Sequence, residues 1–347
     1  MLLSEITALR GPSGHEHEVR EALRGEAERL LAGCEGARVY ADTMGNLYAH
    51  RPGRDKKKKH VMLAAHMDEV GFIIRYATAE GLLRFAPVGG VDPRVIASRR
   101  VLVGDDRVPG VIGFKAVHLM TAEDRERAPG YDMLSIDIGA SSKEEAEKRC
   151  PPGTYATFDS GYTEFGDGFV KAKALDDRVG CLVLLHALAD SAYDGDMTCV
   201  FTVQEECGLR GARIAVNKVK PDLALILEGT TANDMGDVPS HLQVTACGKG
   251  AVVSLMDRSA IMDKALREKA MQTAEARGIP AQYKRFVAGG TDAGPIHMAQ
   301  GGIPCLVMAV PCRYIHSPAS VCRLSDVDAL CALTLALLDE INQEATV

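Results

Sequence analysis

Two carboxylates stand side by side at Glu205 and Glu206, where the run VFTVQEECGLRG, rich in β-branched and apolar residues, reads as a buried strand emptying into a polar site. Successive side chains of a strand point to opposite faces, so both acids can serve one site only if the chain leaves strand geometry there. Gly208 is placed to allow that. Such a pair divides labour: one carboxylate binds a metal ion while its neighbour stands off the ion and moves a proton, as in two-metal hydrolases that draw a nucleophile from water. A solvated Glu-Glu pair at a strand end would look the same in isolation. Four further places carry metal-type side chains. His66 and Asp68, in AAHMDEVGF, are two apart and share a face of an extended chain, so Asp68 can hold the imidazole in its ligating tautomer. Asp176 and Asp177 precede an apolar helix, where an ordinary N-cap competes as an explanation. Glu228 ends the run LALIL, and His316 follows another strand-like run in RYIHSP.

Taken singly, each of these signals has an ordinary structural explanation. Together they gain force, because groups at the carboxyl ends of strands in an open α/β sheet converge on one crevice. Hard carboxylates mixed with two imidazoles suit Zn, Co or Mn rather than a thiolate site. One carboxylate shared between two ions, with one His and one acid for each, would make a symmetric pair about 3.5–4 Å apart.

The elements that must position these groups come from periodicity. An amphipathic helix is predicted over residues 16–31, with Ser13 and Glu16 as a capping box. VMLAA, at residues 61–65, is apolar throughout, as expected of an interior parallel strand. From residue 70 to about 169 the texture changes to many short β-like runs separated by Gly, Pro and Asp turns, with one convincing helix at residues 142–149. Strand and helix then alternate: a helix at 179–188, a strand at 199–203, a helix at 211–217, strands at 223–227 and 250–255, and helices at 260–277 and 326–342. The expected fold is α/β: a mostly parallel-sheet catalytic domain of residues 1–69 and 166–347 with helices on both faces, and an inserted small all-β, barrel-like domain of residues 70–165 that overhangs the site.

Composition excludes several classes. With 347 residues the chain can bury a large core, and its formal net charge of −7 argues against a nucleic-acid surface. No apolar run approaches membrane-spanning length, and the N-terminus lacks a signal-peptide pattern. The 10 cysteines are scattered with no CxxC, which suits reduced, buried residues of a cytoplasmic protein and leaves any metal to His, Asp and Glu. The lysine run at residues 56–59 reads as a solvated loop tip.

The segments AAHMDEVGF, KALDDRVG, VQEECGLRGA, GGTDAGPI and RYIHSP, in this order and separation, resemble the tetrahedral (TET) aminopeptidases, a group that includes glutamyl and deblocking aminopeptidases and some endoglucanase-labelled relatives. The resemblance runs over nearly the whole chain. It implies a metallo-aminopeptidase acting on short peptides, with two divalent ions (Zn, Co or Mn) per subunit. It further implies that Asp176 bridges the ions, that Glu206 and His316 complete one and His66 and Glu228 the other, that Glu205 is the general base, and that Asp68 orients His66. A cis peptide between Asp176 and Asp177 and a homo-dodecamer built from dimers, to which the inserted module would contribute as dimerisation and lid element, belong to the same implication. One departure stands out: the family more often has Asp where this chain has Glu228, with Asp234 or Asp237 nearby as substitutes. Gly289, Gly290, Thr291 and Asp292 form either a loop shaping the pocket or a structural turn. The competing functions are a carboxypeptidase or N-acyl amino acid deacylase of related dinuclear type, and a catalytically silent shell or binding protein on the same fold.

Overall fold

A computed structural model describes residues 1–344. Its central sheet has eight strands in the order Arg38–Ala41, Leu47–Arg51, Met197–Thr202, Val61–His66, Leu223–Thr231, Cys305–Cys312, Ala251–Ser254 and Ala281–Lys284. The four from Met197–Thr202 to Cys305–Cys312 run parallel, and antiparallel pairings join this block to its neighbours on both sides. The sheet is therefore mixed, where periodicity pointed to a mostly parallel one. Apolar runs mark strands covered on both faces but carry no sign of direction; direction is set by the connections. Every residue of Val61–His66, Met197–Thr202 and Cys305–Cys312 is buried.

Two groups of helices cover the sheet. Leu175–Asp190, Leu324–Gln343 and Lys264–Arg277 pack in series with one another, whereas Arg210–Val219 packs with Ala293–His297. Leu175–Asp190 is buried along most of its length because it is packed between the sheet, Leu324–Gln343 and the two N-terminal helices. Helix boundaries lie within a few residues of those expected, the largest shifts at a helix start being four residues, at Leu175–Asp190 and at Lys264–Arg277. In the latter, Asp263 caps the helix by accepting from the Leu266 N–H, so residues 260–263 stay outside it.

Six strands between Gly71 and Phe158 close into a barrel with its own apolar core, in which Phe72 meets Phe85 and Phe158 edge to face. A short helix, Ala122–Glu126, joins the expected Lys143–Arg149 within this region. A small sheet of Thr163–Phe165, Phe169–Ala172 and Ser320–Arg323 then leads the chain back. All ten cysteines are free, and four of them, Cys34, Cys207, Cys247 and Cys331, are only half-buried. The lysine run is a solvated turn, as expected, with Lys56, Lys57 and Lys59 exposed; it is also tied down at the surface, where Lys56 pairs with Asp196, Lys59 with Glu344, and Lys58 donates to the Asn342 carbonyl. Among the described residues no helix is long and apolar enough to cross a membrane.

Candidate metal centre

His66 closes its parallel strand opposite Thr202, so that the chain on both strands leaves the sheet at one edge. Glu228 lies within Leu223–Thr231, which continues past the apolar run because its pairing with Cys305–Cys312 extends to Thr231 and Cys312. His316 follows four residues after that neighbour ends. The register of four parallel strands thus gathers what the sequence scatters.

Asp176 stands at the middle. One of its carboxylate oxygens lies 3.4 Å from His66 Nε2 and the other 3.5 Å from His316 Nε2. Glu228 flanks the first imidazole at 3.6 Å and Glu206 the second at 3.2 Å. Both rings are turned the same way. His66 Nδ1 is 3.1 Å from the Asp68 carbonyl and His316 Nδ1 2.8 Å from the Gly90 carbonyl, so each Nδ1–H can donate outward and leave Nε2 free to face Asp176. The Asp68 carboxylate is farther from His66, at 3.5 Å. Its main contacts are others: it accepts the backbone N–H groups of Glu205 and Glu206, at 3.0 and 3.2 Å, and the Ser13 hydroxyl at 2.5 Å. The side chain expected to orient an imidazole therefore chiefly fixes the turn that carries the two glutamates, while its backbone carbonyl meets the ring.

That turn begins one residue before the glutamates. Gln204 has φ +54°, a left-handed conformation unusual for a residue with a side chain, and its N–H donates to Glu16. Gly208, at φ +113°, comes only at the far end of the turn. Ser13 and Glu16 do not form the expected capping box: Glu16 accepts from the N–H groups of Gly14 and Gln204, and Ser13 binds Asp68. Both side chains are spent on the turn because its buried N–H groups have no strand partner. Ala174, Tyr314 and His316 also take left-handed conformations beside the site, and the peptide between Asp176 and Asp177 is cis. Asp177 is engaged by backbone, accepting from the His66 and Gly180 N–H groups, so the N-cap explanation holds for one aspartate of the pair.

Of the two substitutes for Glu228, Asp234 is held by Arg313 Nε and Nη2 and by the Cys247 N–H, and Asp237 is exposed. Neither faces the cluster. The loop of residues 289–292, expected either to shape the pocket or to be a structural turn, completes it together with Lys284, which no motif singled out. Asp292 accepts from the Thr202 hydroxyl at 2.5 Å, and Lys284 and Gly289–Thr291 line the same cavity of about 520 Å³ as His66, Asp176, Glu205, Glu206, Glu228 and His316. Beneath it, buried Glu69 pairs with Lys173 at 2.7 Å and Arg178 at 3.4 Å, while Arg178 donates to the carbonyls of Met67 and Ile6. These buried charges tie the N-terminal segment to the strand end that bears His66.

The electrostatics are those of carboxylates outnumbering cations in a buried space. Burial, followed by the charges of Asp292, Glu206 and Asp68, pushes Glu205 well above the usual carboxylate range despite the nearby His66. Burial likewise raises Glu206 and Glu228. Burial would depress His316, but its hydrogen bonds to the Asp176 and Glu206 carboxylates outweigh that and raise the imidazole to about 11. Asp176 goes the other way: burial opposes its ionisation, yet the two imidazoles hold it well below the normal range. One buried oxygen of Asp176 and one of Glu228 have no hydrogen-bond partner. A buried carboxylate oxygen without a donor is costly, and a divalent cation among these oxygens and the two Nε2 atoms would offset that cost. Ligand atoms of His66, Asp176 and Glu206, and of His66, Asp177 and Glu228, fall within 4.8 Å of one another. The donor set fits a divalent metal.

Fold and site together define an α/β peptidase whose acidic and imidazole groups could hold metal. Residues 45–333 match the family model described as M42 glutamyl aminopeptidase. A putative aminopeptidase of Acetivibrio thermocellus is 38% identical over 94% of each chain, and the lysyl aminopeptidase of Pyrococcus furiosus 32% identical over 98% of this chain and 97% of its own. Among solved structures, an aminopeptidase from Desulfurococcus kamchatkensis superposes with a TM-score of 0.91 at 34% identity, covering 98% of this chain and 95% of that one. The TET1 peptidase of Pyrococcus horikoshii, described as assembling into a tetrahedron or a large octahedral shell, superposes at 0.83 with 35% identity over 97% and 98% of the two chains. The chain belongs to the M42 glutamyl aminopeptidase family and is a hydrolase of peptide bonds.

Proposed function

We propose that the protein is a dinuclear metallo-aminopeptidase removing N-terminal residues from short peptides. The observation that carries this reading is the Asp176 carboxylate, with one oxygen toward each imidazole and a glutamate flanking each. His66 and Glu228 would hold one ion, His316 and Glu206 the other, and Asp176 both. Bound there, the two ions would polarise the scissile carbonyl and lower the pKa of water between them. Glu205 takes the proton from water and returns it to the leaving amine; burial and its acidic neighbours raise its proton affinity, which suits a base that must also act as an acid. Asp68, through the Glu205 and Glu206 N–H groups, holds base and ligand in fixed relation. The carboxylate-rich end of the cavity favours a substrate's free, cationic α-amino group, which distinguishes this reading from a carboxypeptidase or deacylase.

The barrel region, as a lid and dimerisation unit of residues 70–165, belongs to the same proposal. Its support is the Gly90 carbonyl, which reaches His316 from the segment following Leu83–Val88. A homo-oligomer of the shell type described for the TET1 relative is proposed on likeness alone.

Glu205→Gln keeps the shape of the side chain and removes its basicity. Metal content by mass spectrometry should remain that of the parent while kcat on aminoacyl-anilides falls by about 10²–10⁴-fold. Full turnover in this variant would remove Glu205 as the base, and equal turnover of substrates with blocked amines would favour the deacylase.

A further inference from the structure

Away from the cavity, the N-terminal segment meets the barrel along a polar seam. Arg10 donates to the Gly104 carbonyl at 2.6 Å, and Arg107, in the turn between Arg100–Val103 and Val108–Phe114, reaches Glu18 at 3.2 Å. Between these two contacts His15 Nε2 lies 3.0 Å from an Asp105 oxygen. A hydrogen bond explains those two residues, but not the third. The His17 ring packs edge-on against His15 with centroids 4.5 Å apart, and nitrogen atoms of both rings and an Asp105 oxygen all fall within 4.8 Å of one another. The His15 ring is also stacked on Tyr155 at 5.0 Å, nearly parallel, which fixes its plane.

We propose that His15, His17 and Asp105 form a separate binding site for one transition-metal dication of the Zn²⁺ type, clamping the N-terminal segment to the barrel turn. Two imidazoles and one carboxylate are a common three-ligand zinc set, with water completing the tetrahedron. Bonds of about 2.0–2.2 Å to a tetrahedral ion require donor atoms roughly 3.5 Å apart, so the present spread closes by small side-chain rotations. Both His17 and Asp105 are exposed enough to make them. The clamp has a mechanical consequence. Ser13 and Glu16, on either side of His15, hold Asp68 and the Gln204 turn, so fixing this segment steadies the support of Glu205.

The test counts metal on the full chain. Wild type and a His15→Gln/His17→Gln double variant are equilibrated with Zn²⁺ by dialysis under reducing conditions, and bound zinc is measured by mass spectrometry. The expected result is one more equivalent on wild type, with matching circular dichroism. Asp105→Asn, altered on the other side of the seam, should weaken uptake of that equivalent at least tenfold. Equal zinc on wild type and double variant overturns the site, and loss with the histidine changes but not with Asp105→Asn overturns the clamp. The readout is a difference between proteins, so it stands whatever His66 and His316 bind; failure of the dinuclear reading would appear as loss-free metal content in a His66→Ala control.

Discussion

At the residue scale, the site is defined by carboxyl groups kept where they are individually unfavourable. Glu228 has one buried oxygen without a partner, and burial raises its proton affinity. In chelator, Glu228→Gln should therefore be more stable than the parent near neutral pH by about 1–2 kcal/mol, since a neutral amide replaces an uncompensated acid. With metal restored the order should reverse if Glu228 is the ligand proposed above; thermal melts in both conditions check this. Glu16 supplies the pH dependence. Burial first, and Asp68 second, raise its carboxyl from the ordinary 4.5 to about 7. A folded-state value above the unfolded one means that its contribution is fully present below about 4.5 and is lost as pH rises through about 7. Glu16→Gln keeps an acceptor for the Gly14 and Gln204 N–H groups, so it should flatten the fall in stability between pH 5 and pH 8 by roughly 2–3 kcal/mol, as read from urea midpoints across that range.

At the scale of elements, the centre depends on backbones packed too closely for side chains. A methyl at Gly180 would sit 2.6 Å from the Leu227 carbonyl and 2.5 Å from an Asp177 oxygen, so helix Leu175–Asp190 reaches strand Leu223–Thr231 only through glycine. Gly180→Ala should push helix and strand apart, moving Asp176 relative to Glu228. A loss of about 1–3 kcal/mol in denaturant unfolding is expected, with reduced metal content in the folded fraction. Gly211 plays the matching part after the Glu205–Glu206 turn, where a Cβ would lie 2.4 Å from the Val203 carbonyl.

At the scale of the whole molecule, metal bound at the proposed centre would be linked to the fold. The cluster joins strand ends spread from His66 to His316, so ions bound there tie together segments remote in sequence. Chelation should lower the melting temperature, and added Zn²⁺ or Co²⁺ should restore it; an ion at 100 times its Kd contributes about 2.7 kcal/mol. A melting temperature indifferent to chelator would show that the carboxyl cluster is relieved by protons alone.

Much of this was legible before folding. The segment patterns singled out His66, Asp68, Asp176, Glu205, Glu206, Glu228 and His316 as candidates, and all but Asp68 line one cavity; residue type and position in a segment are local properties of a chain. The texture change after residue 70 likewise announced a separate β region, which folds as a closed barrel. Other features depend on pairings that a linear reading cannot see. Ser13 and Glu16 looked like helix-capping residues until their partners proved to be Asp68 and Gln204, 55 and 188 residues away. Strand direction, the continuation of Leu223–Thr231 past Glu228, and the two carbonyls that meet the imidazoles follow from register and long-range approach. Side-chain chemistry is carried by each residue alone and so is written in the sequence. Which buried donor meets which acceptor is fixed only when the chain closes on itself, and that was left to the tertiary structure.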